Sequence, residues 1–117
     1  MFRIRGRTIE LSAGDTGVIR FCAQGVTLTQ ADRVMFTVRR KNGDAVICKV
    51  VVPEGNEVLI PFVNEDTELL RADTYDWDVR YVLDAQMDET GAVVNGREVI
   101  TPFMPGSLHV MKVVGSV

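Results

Sequence analysis

Between Thr74 and Leu83 the chain places large apolar residues at Tyr75, Trp77, Val79, Tyr81 and Leu83 and charged ones at Asp76, Asp78 and Arg80. Successive side chains of a strand point to opposite faces, so this period of two predicts a half-buried β-strand. The odd positions belong to a core and the charged even positions to a hydrated face. The single Trp and both Tyr of the chain are thereby assigned to the interior.

Similar short runs fill the rest of the sequence, separated by turn chemistry. Ile9-Glu10-Leu11 ends at Ala13-Gly14-Asp15, and a second strand runs from Val18 to Ala23 before Gly25. Arg33 to Lys41 carries Val34, Phe36 and Val38 on one face and stops at Asn42-Gly43-Asp44, a hairpin signal because Asn and Gly tolerate positive φ. Its partner, Ala45 to Val52, is apolar at consecutive positions near Val50-Val51-Val52, the pattern of a central strand covered on both faces. After Pro53-Glu54-Gly55-Asn56, Val58, Ile60 and Phe62 alternate through Glu57 to Phe62. Asn64 to Leu70 predicts one helical turn, capped by Asn64 or Asp66 and with acids in its first turn. Asp84 to Arg97, with Thr90-Gly91 and Asn95-Gly96, reads as an extended exposed hairpin or a mobile loop. Glu98 to Thr101 and Ser107 to Val114 complete the set.

Seven to nine short strands at intervals of roughly 8–12 residues, with no long helical period, predict an all-β sandwich or barrel paired mostly antiparallel. A length of 117 residues predicts one domain over residues 1–117 with a genuine core. Thirteen basic and sixteen acidic residues give a net charge of −3 and no basic patch, so nucleic acid is not an expected partner. No stretch reaches the roughly 18 apolar residues of a membrane span, and Met1-Phe2-Arg3-Ile4-Arg5 lacks the apolar core of a secretory signal. The expectation is a soluble chain that does not use the general secretory route. Cys22 and Cys48 are expected to be two buried free thiols rather than a bridge.

Each cluster with chemical potential has a simpler reading. Asp76 and Asp78 lie about 6.5–7 Å apart on one strand face, but a wet face beside Arg80 accounts for them without catalysis. Asp84, Asp88 and Glu89 do not follow the spacing of a calcium loop. His109, the one histidine, has no metal-like spacing to either cysteine and reads as a strand residue at an exposed or edge position. Ser12 and Ser107 lack a nucleophile-elbow context, and the glycines form no phosphate cradle. Trp77 on an open surface would suit sugar stacking, but its register assigns it to the core. No catalytic, metal-binding or cofactor-binding residue is assigned, and no cofactor is expected.

Several segments together resemble the immunoglobulin-like β-sandwich at the N-terminus of phage upper-baseplate and tail-fibre proteins. The opening Ile9-Glu10-Leu11-Ser12-Ala13-Gly14-Asp15-Thr16-Gly17-Val18-Ile19-Arg20-Phe21 is similar to the family's strand, Gly-Asp-Thr and apolar strand. Val34-Met35-Phe36-Thr37-Val38-Arg39-Arg40 resembles its next strand. Glu65-Asp66-Thr67-Glu68-Leu69-Leu70 followed by Tyr75-Asp76-Trp77-Asp78-Val79-Arg80 resembles its acid-Asp-Thr turn and aromatic strand, and Val99-Ile100-Thr101-Pro102 and Gly106-Ser107-Leu108-His109-Val110 resemble its close. Phe103-Met104-Pro105 is an extra corner. Family members usually continue into a shaft, a coiled region or a receptor-binding tip, whereas this chain ends at Gly115-Ser116-Val117, as a fragment or a small stand-alone protein. Receptor recognition is therefore not carried over.

The resemblance implies an immunoglobulin-like sandwich and a non-enzymatic structural role in a phage or prophage tail or baseplate. It further implies synthesis in the bacterial cytoplasm, residence in the virion, and contacts with other tail or baseplate proteins or with further copies of the chain. A carbohydrate- or ligand-binding β-sandwich module is the alternative.

Overall fold

The alternating run becomes β7 (Asp73–Leu83), the longest strand and the spine of the larger sheet. Tyr75, Trp77, Val79, Tyr81 and Leu83 are all buried, as their period requires. Val82 is buried too, although it faces the other way. The chain returns past it there, where Arg97 donates its backbone N–H to the Leu83 carbonyl at 2.8 Å. The computed structural model describes residues 1–112, so the expected continuation of the last strand through Val113 and Val114 lies outside the described residues.

Two layers form an all-β sandwich. The larger sheet runs in the order β1 (Phe2–Arg5), β2 (Thr8–Ser12), β11 (Gly106–Met111), β7, β4 (Arg33–Arg39) and β5 (Ala45–Val51), and β10 (Glu98–Ile100) pairs with β7 beyond the reach of β11. Every pair in it is antiparallel except β2 with β11. The smaller layer is β3 (Gly17–Cys22) paired antiparallel with β6 (Glu57–Phe62). A short hairpin of β8 (Gln86–Met87) and β9 (Val93–Asn95) occupies the 84–97 region, which resolves the choice between hairpin and loop. The expected helical turn is α1 (Asn64–Thr67).

The described residues hold eleven strands rather than seven to nine. Besides the small hairpin, the addition is β1, a four-residue strand at the sheet's edge with only Phe2 half-buried. Two expectations need correction. Ala45–Val51 is the outer strand of its sheet and not a central one: Val50 and Val52 are exposed, so its apolar run reflects a partly bare edge. Cys22 and Cys48 are free, but both are exposed. In β3 the inward phase belongs to Ile19 and Phe21, and in β5 to Ile47, which turns each thiol to the opposite side.

The core lies between the inner faces of the two layers. Phe36 stacks on Trp77, with ring centroids 5.4 Å apart, and meets Phe62 of the smaller layer edge-on at 5.5 Å. Val34, Val38, Val58, Ile60 and Leu108 fill the remaining space and are fully buried. Aliphatic and aromatic burial of this kind is worth about 25 cal/mol per Å² removed from water and supplies the main drive for closing the sandwich.

Candidate functional site

The Trp77 indole lies across the start of β11. Its Nε1–H donates to the carbonyls of Arg7 and Ser107, both at 3.1 Å. Gly106 beneath it is obligatory by close approach, since a Cβ there would stand 2.2 Å from the Arg7 oxygen and 2.3 Å from the indole. Trp77 thus ties the β1–β2 turn, β7 and β11 together. With 7 % exposure and one face on Phe36, it is a core residue and not an open stacking platform.

Residues 101–105, which include the extra corner Phe103-Met104-Pro105, separate the β10 register (Ile100 opposite Tyr81) from the β11 register (Gly106 opposite Trp77). The bulge swings Phe103 over the edge of the core, where it meets Trp77 at 5.9 Å and Phe21 at 5.7 Å, both edge-on. A cavity of about 290 Å³ opens beside it, walled by Ile4, Ile9, Ile19, Phe21, Trp77 and Phe103, with Gly6, Arg7 and Arg20 completing its lining. This volume is just below the range of roughly 300–1,000 Å³ usual for ligand sites, and the mostly apolar wall is typical of them. Sequence reasoning did not find this constellation, because its residues come from four distant segments and each follows its own strand's period. Only the alternation Phe2-Arg3-Ile4-Arg5 before Gly6 offered a signal, as a short edge strand entering a turn.

The titratable residues considered from the sequence do not converge. Asp76 and Asp78 are half-buried rather than fully solvated, and Asp76 pairs with Lys41 at 2.6 Å, not with Arg80. Asp84 pairs with Arg97 at 2.6 Å. Asp88 caps the hairpin tip: its carboxylate accepts from the Thr90 hydroxyl at 2.6 Å, the Thr90 amide at 2.9 Å and the Ala92 amide at 3.1 Å. The Thr90 hydroxyl and these amides hold Asp88 below the usual carboxylate pKa. Glu89 is exposed. His109 does not sit at an edge. It is half-buried on β11, between Glu10 of β2 and Thr74 of β7, because β11 is flanked on both sides. Ser107 lies one step before it in the same ladder, and Ser12 ends β2, donating its N–H to Asp15 at 2.7 Å. Among the described residues, no three His, Cys, Asp or Glu side chains stand together as a metal ligand set.

A polar junction closes one end of the sandwich. Buried Thr67 donates its hydroxyl to the Asp15 carbonyl at 2.8 Å, and the Asn64 amide donates to the Gly14 carbonyl at 2.9 Å. Asp66 accepts the Val63 N–H at 2.8 Å and pairs with Lys49 at 2.9 Å, while Asp15 binds the N-terminal ammonium group. Partial burial pulls Asp66 upward, but the Val63 amide and the Lys49 ammonium outweigh it and leave the pKa lowered. Asp15 is lowered in the same way, its desolvation outweighed by the terminal ammonium and the Ser12 amide.

No family model, curated protein or solved structure matches the chain.

Proposed function

We propose that the chain is a non-enzymatic assembly domain of a phage or prophage tail or baseplate, an immunoglobulin-like sandwich acting through protein–protein contacts. The observation that carries this reading is the junction at Asp15 and Thr67. Gly14-Asp15-Thr16 and Glu65-Asp66-Thr67 are two of the motifs on which the family resemblance rests, and they are 52 residues apart between Asp15 and Thr67 yet bonded directly. Two short motifs that make one structural unit carry more weight than the same motifs scattered.

The surface supports contacts with other proteins. Among the described residues β1 and β5 leave the outer edges of the larger sheet unpaired, the 84–97 arm exposes Met87 and Val94, and Val99 of β10 is exposed beside it. Free edges and apolar arms are templates for a partner. A carbohydrate-binding module would place Trp77 on an open face, and its burial against Phe36 favours the assembly reading instead.

Light scattering and co-purification with neighbouring tail and baseplate proteins test the proposal. The expected result is a complex of fixed stoichiometry, formed with those proteins or with further copies of the chain. A domain that stays monomeric and binds none of them overturns it.

A further inference from the structure

Among the described residues the smaller layer has two strands, and β3 is paired on one side alone. Pro61, opposite Val18, has no N–H to give, and the Ala23 N–H bonds the Asn56 carbonyl at 2.7 Å. The odd-numbered residues of β3 therefore exchange backbone bonds with β6, and Val18, Arg20 and Cys22 aim theirs outward. Among the described residues, nothing on the backbone meets those three.

The apolar cavity lies along this same edge. A strand laid against β3 would direct every second side chain into the space walled by Ile4, Ile9, Ile19, Phe21, Trp77 and Phe103. Phe2 already plugs one end of the gap, its ring packed so tightly over Gly17 that a Cβ there would stand 2.3 Å from it. Phe103 overhangs the other end. Charge selects the occupant further. Arg7 has no carboxylate partner among the described residues, and Arg20 has only exposed Glu57 at 3.7 Å, in a chain whose net charge is −3.

We propose that an extended segment of a partner protein, apolar at alternate positions and acidic between them, adds as a strand to the outer edge of β3. Its apolar side chains fill the cavity beneath Phe103, and its carboxylates meet Arg20 and Arg7. Main-chain bonds to Val18, Arg20 and Cys22 supply affinity, and the cavity and arginines supply selectivity. This inference rests on the protein–protein reading above and names the surface and the chemistry of the partner.

The test uses the whole chain and a short capped peptide in which valine alternates with glutamate, with a valine–lysine peptide as control. Trp77, the one indole, forms a wall of the cavity and reports by its emission. A saturable emission change with the glutamate peptide is expected, about tenfold weaker with the lysine peptide or with Arg7→Glu and Arg20→Glu. Residue-resolved amide exchange is expected to be fast at Val18 and Cys22 in the free protein and to slow on peptide addition, while Ile19 and Phe21 stay protected throughout. Val18→Pro removes an outward donor, leaves the β6 ladder intact and is expected to weaken the peptide.

No emission change, equal responses to the two peptides, or edge amides already protected in dilute free protein each overturn the proposal. Protection that appears with rising protein concentration alone assigns the edge to a second copy and also overturns it. If the peptide fails while the chain still assembles with tail proteins, the strand site falls and the assembly reading stands. Peptide binding without any such assembly does the reverse.

Discussion

β7 and β3 obey the same alternation and live in different surroundings. Each sends every second side chain into the core, Trp77 and Val79 from one and Ile19 and Phe21 from the other. β7 is paired along both edges, by β4 on one side and by β11 and β10 on the other, whereas among the described residues β3 is paired only by β6. Hydrophobic period therefore fixes which face of a strand is dry and says nothing about how many neighbours its backbone has. In this sandwich the difference separates a sealed centre from an open margin.

Proline placed in the two strands gives the sharpest contrast. Asp78 lies in the interior of β7, opposite Thr37 of β4. Proline is tolerated on edges where the lost N–H faces solvent and not in central strands. Asp78→Pro is expected to abolish cooperative folding, while Val18→Pro in β3 keeps a native circular dichroism spectrum and loses about 1 kcal/mol or less of stability. Equal damage from the two would mean that the outer edge of β3 is as fully bonded as β7.

Side-chain truncation comes next. Trp77→Ala removes the ring that stacks on Phe36 and bonds two carbonyls, and it is expected to cost about 3–5 kcal/mol in urea unfolding. Phe103→Ala removes a half-buried ring at the rim of an existing cavity, so about 2 kcal/mol or less is expected. A larger cost at Phe103 than at Trp77 would move the centre of the core to the margin.

Much of the sandwich was legible in the sequence for the reason this comparison isolates. Faces follow from alternation, so Val34, Phe36, Val38, Val58, Ile60 and Phe62 are buried as their period requires. Edges follow from pairing, which is a property of the whole sheet. The run Val50-Val51-Val52 looked central because apolar residues stand at consecutive positions, yet β5 ends the sheet and Val50 and Val52 are exposed. Cys22 and Cys48 looked buried by composition, although the phases of Ile19 and Ile47 already turned them outward. The cavity beside Phe103 was not legible at all. It exists because the bulge at residues 101–105 and the β1–β2 turn meet across β7 and β3, and no local pattern encodes that meeting.

The smallest expected effect concerns the polar end of the sandwich, where the chemistry is electrostatic rather than apolar. Asp66 has a pKa lowered from 3.8 in the folded protein, because the Val63 amide and Lys49 outweigh its desolvation. A depressed carboxylate binds its proton more weakly when folded than when unfolded, so its contribution is complete above the unfolded value and is lost as pH falls through the folded one. Asp66→Asn is therefore expected to lower stability by on the order of 1 kcal/mol at neutral pH, with the gap to the parent protein closing below about pH 4. Lys49→Met removes the ammonium but leaves the Val63 bond, and it is expected to lose only part of the stability that Asp66→Asn loses. Because Asp15 is depressed by other partners, its share of the acid dependence survives both substitutions. Melting curves from pH 2 to 7 for the parent and both variants decide the matter. A gap that stays constant down to the lowest pH would show that Asp66 acts by shape alone, and the junction at Asp15 and Thr67 would then be held by its neutral hydrogen bonds.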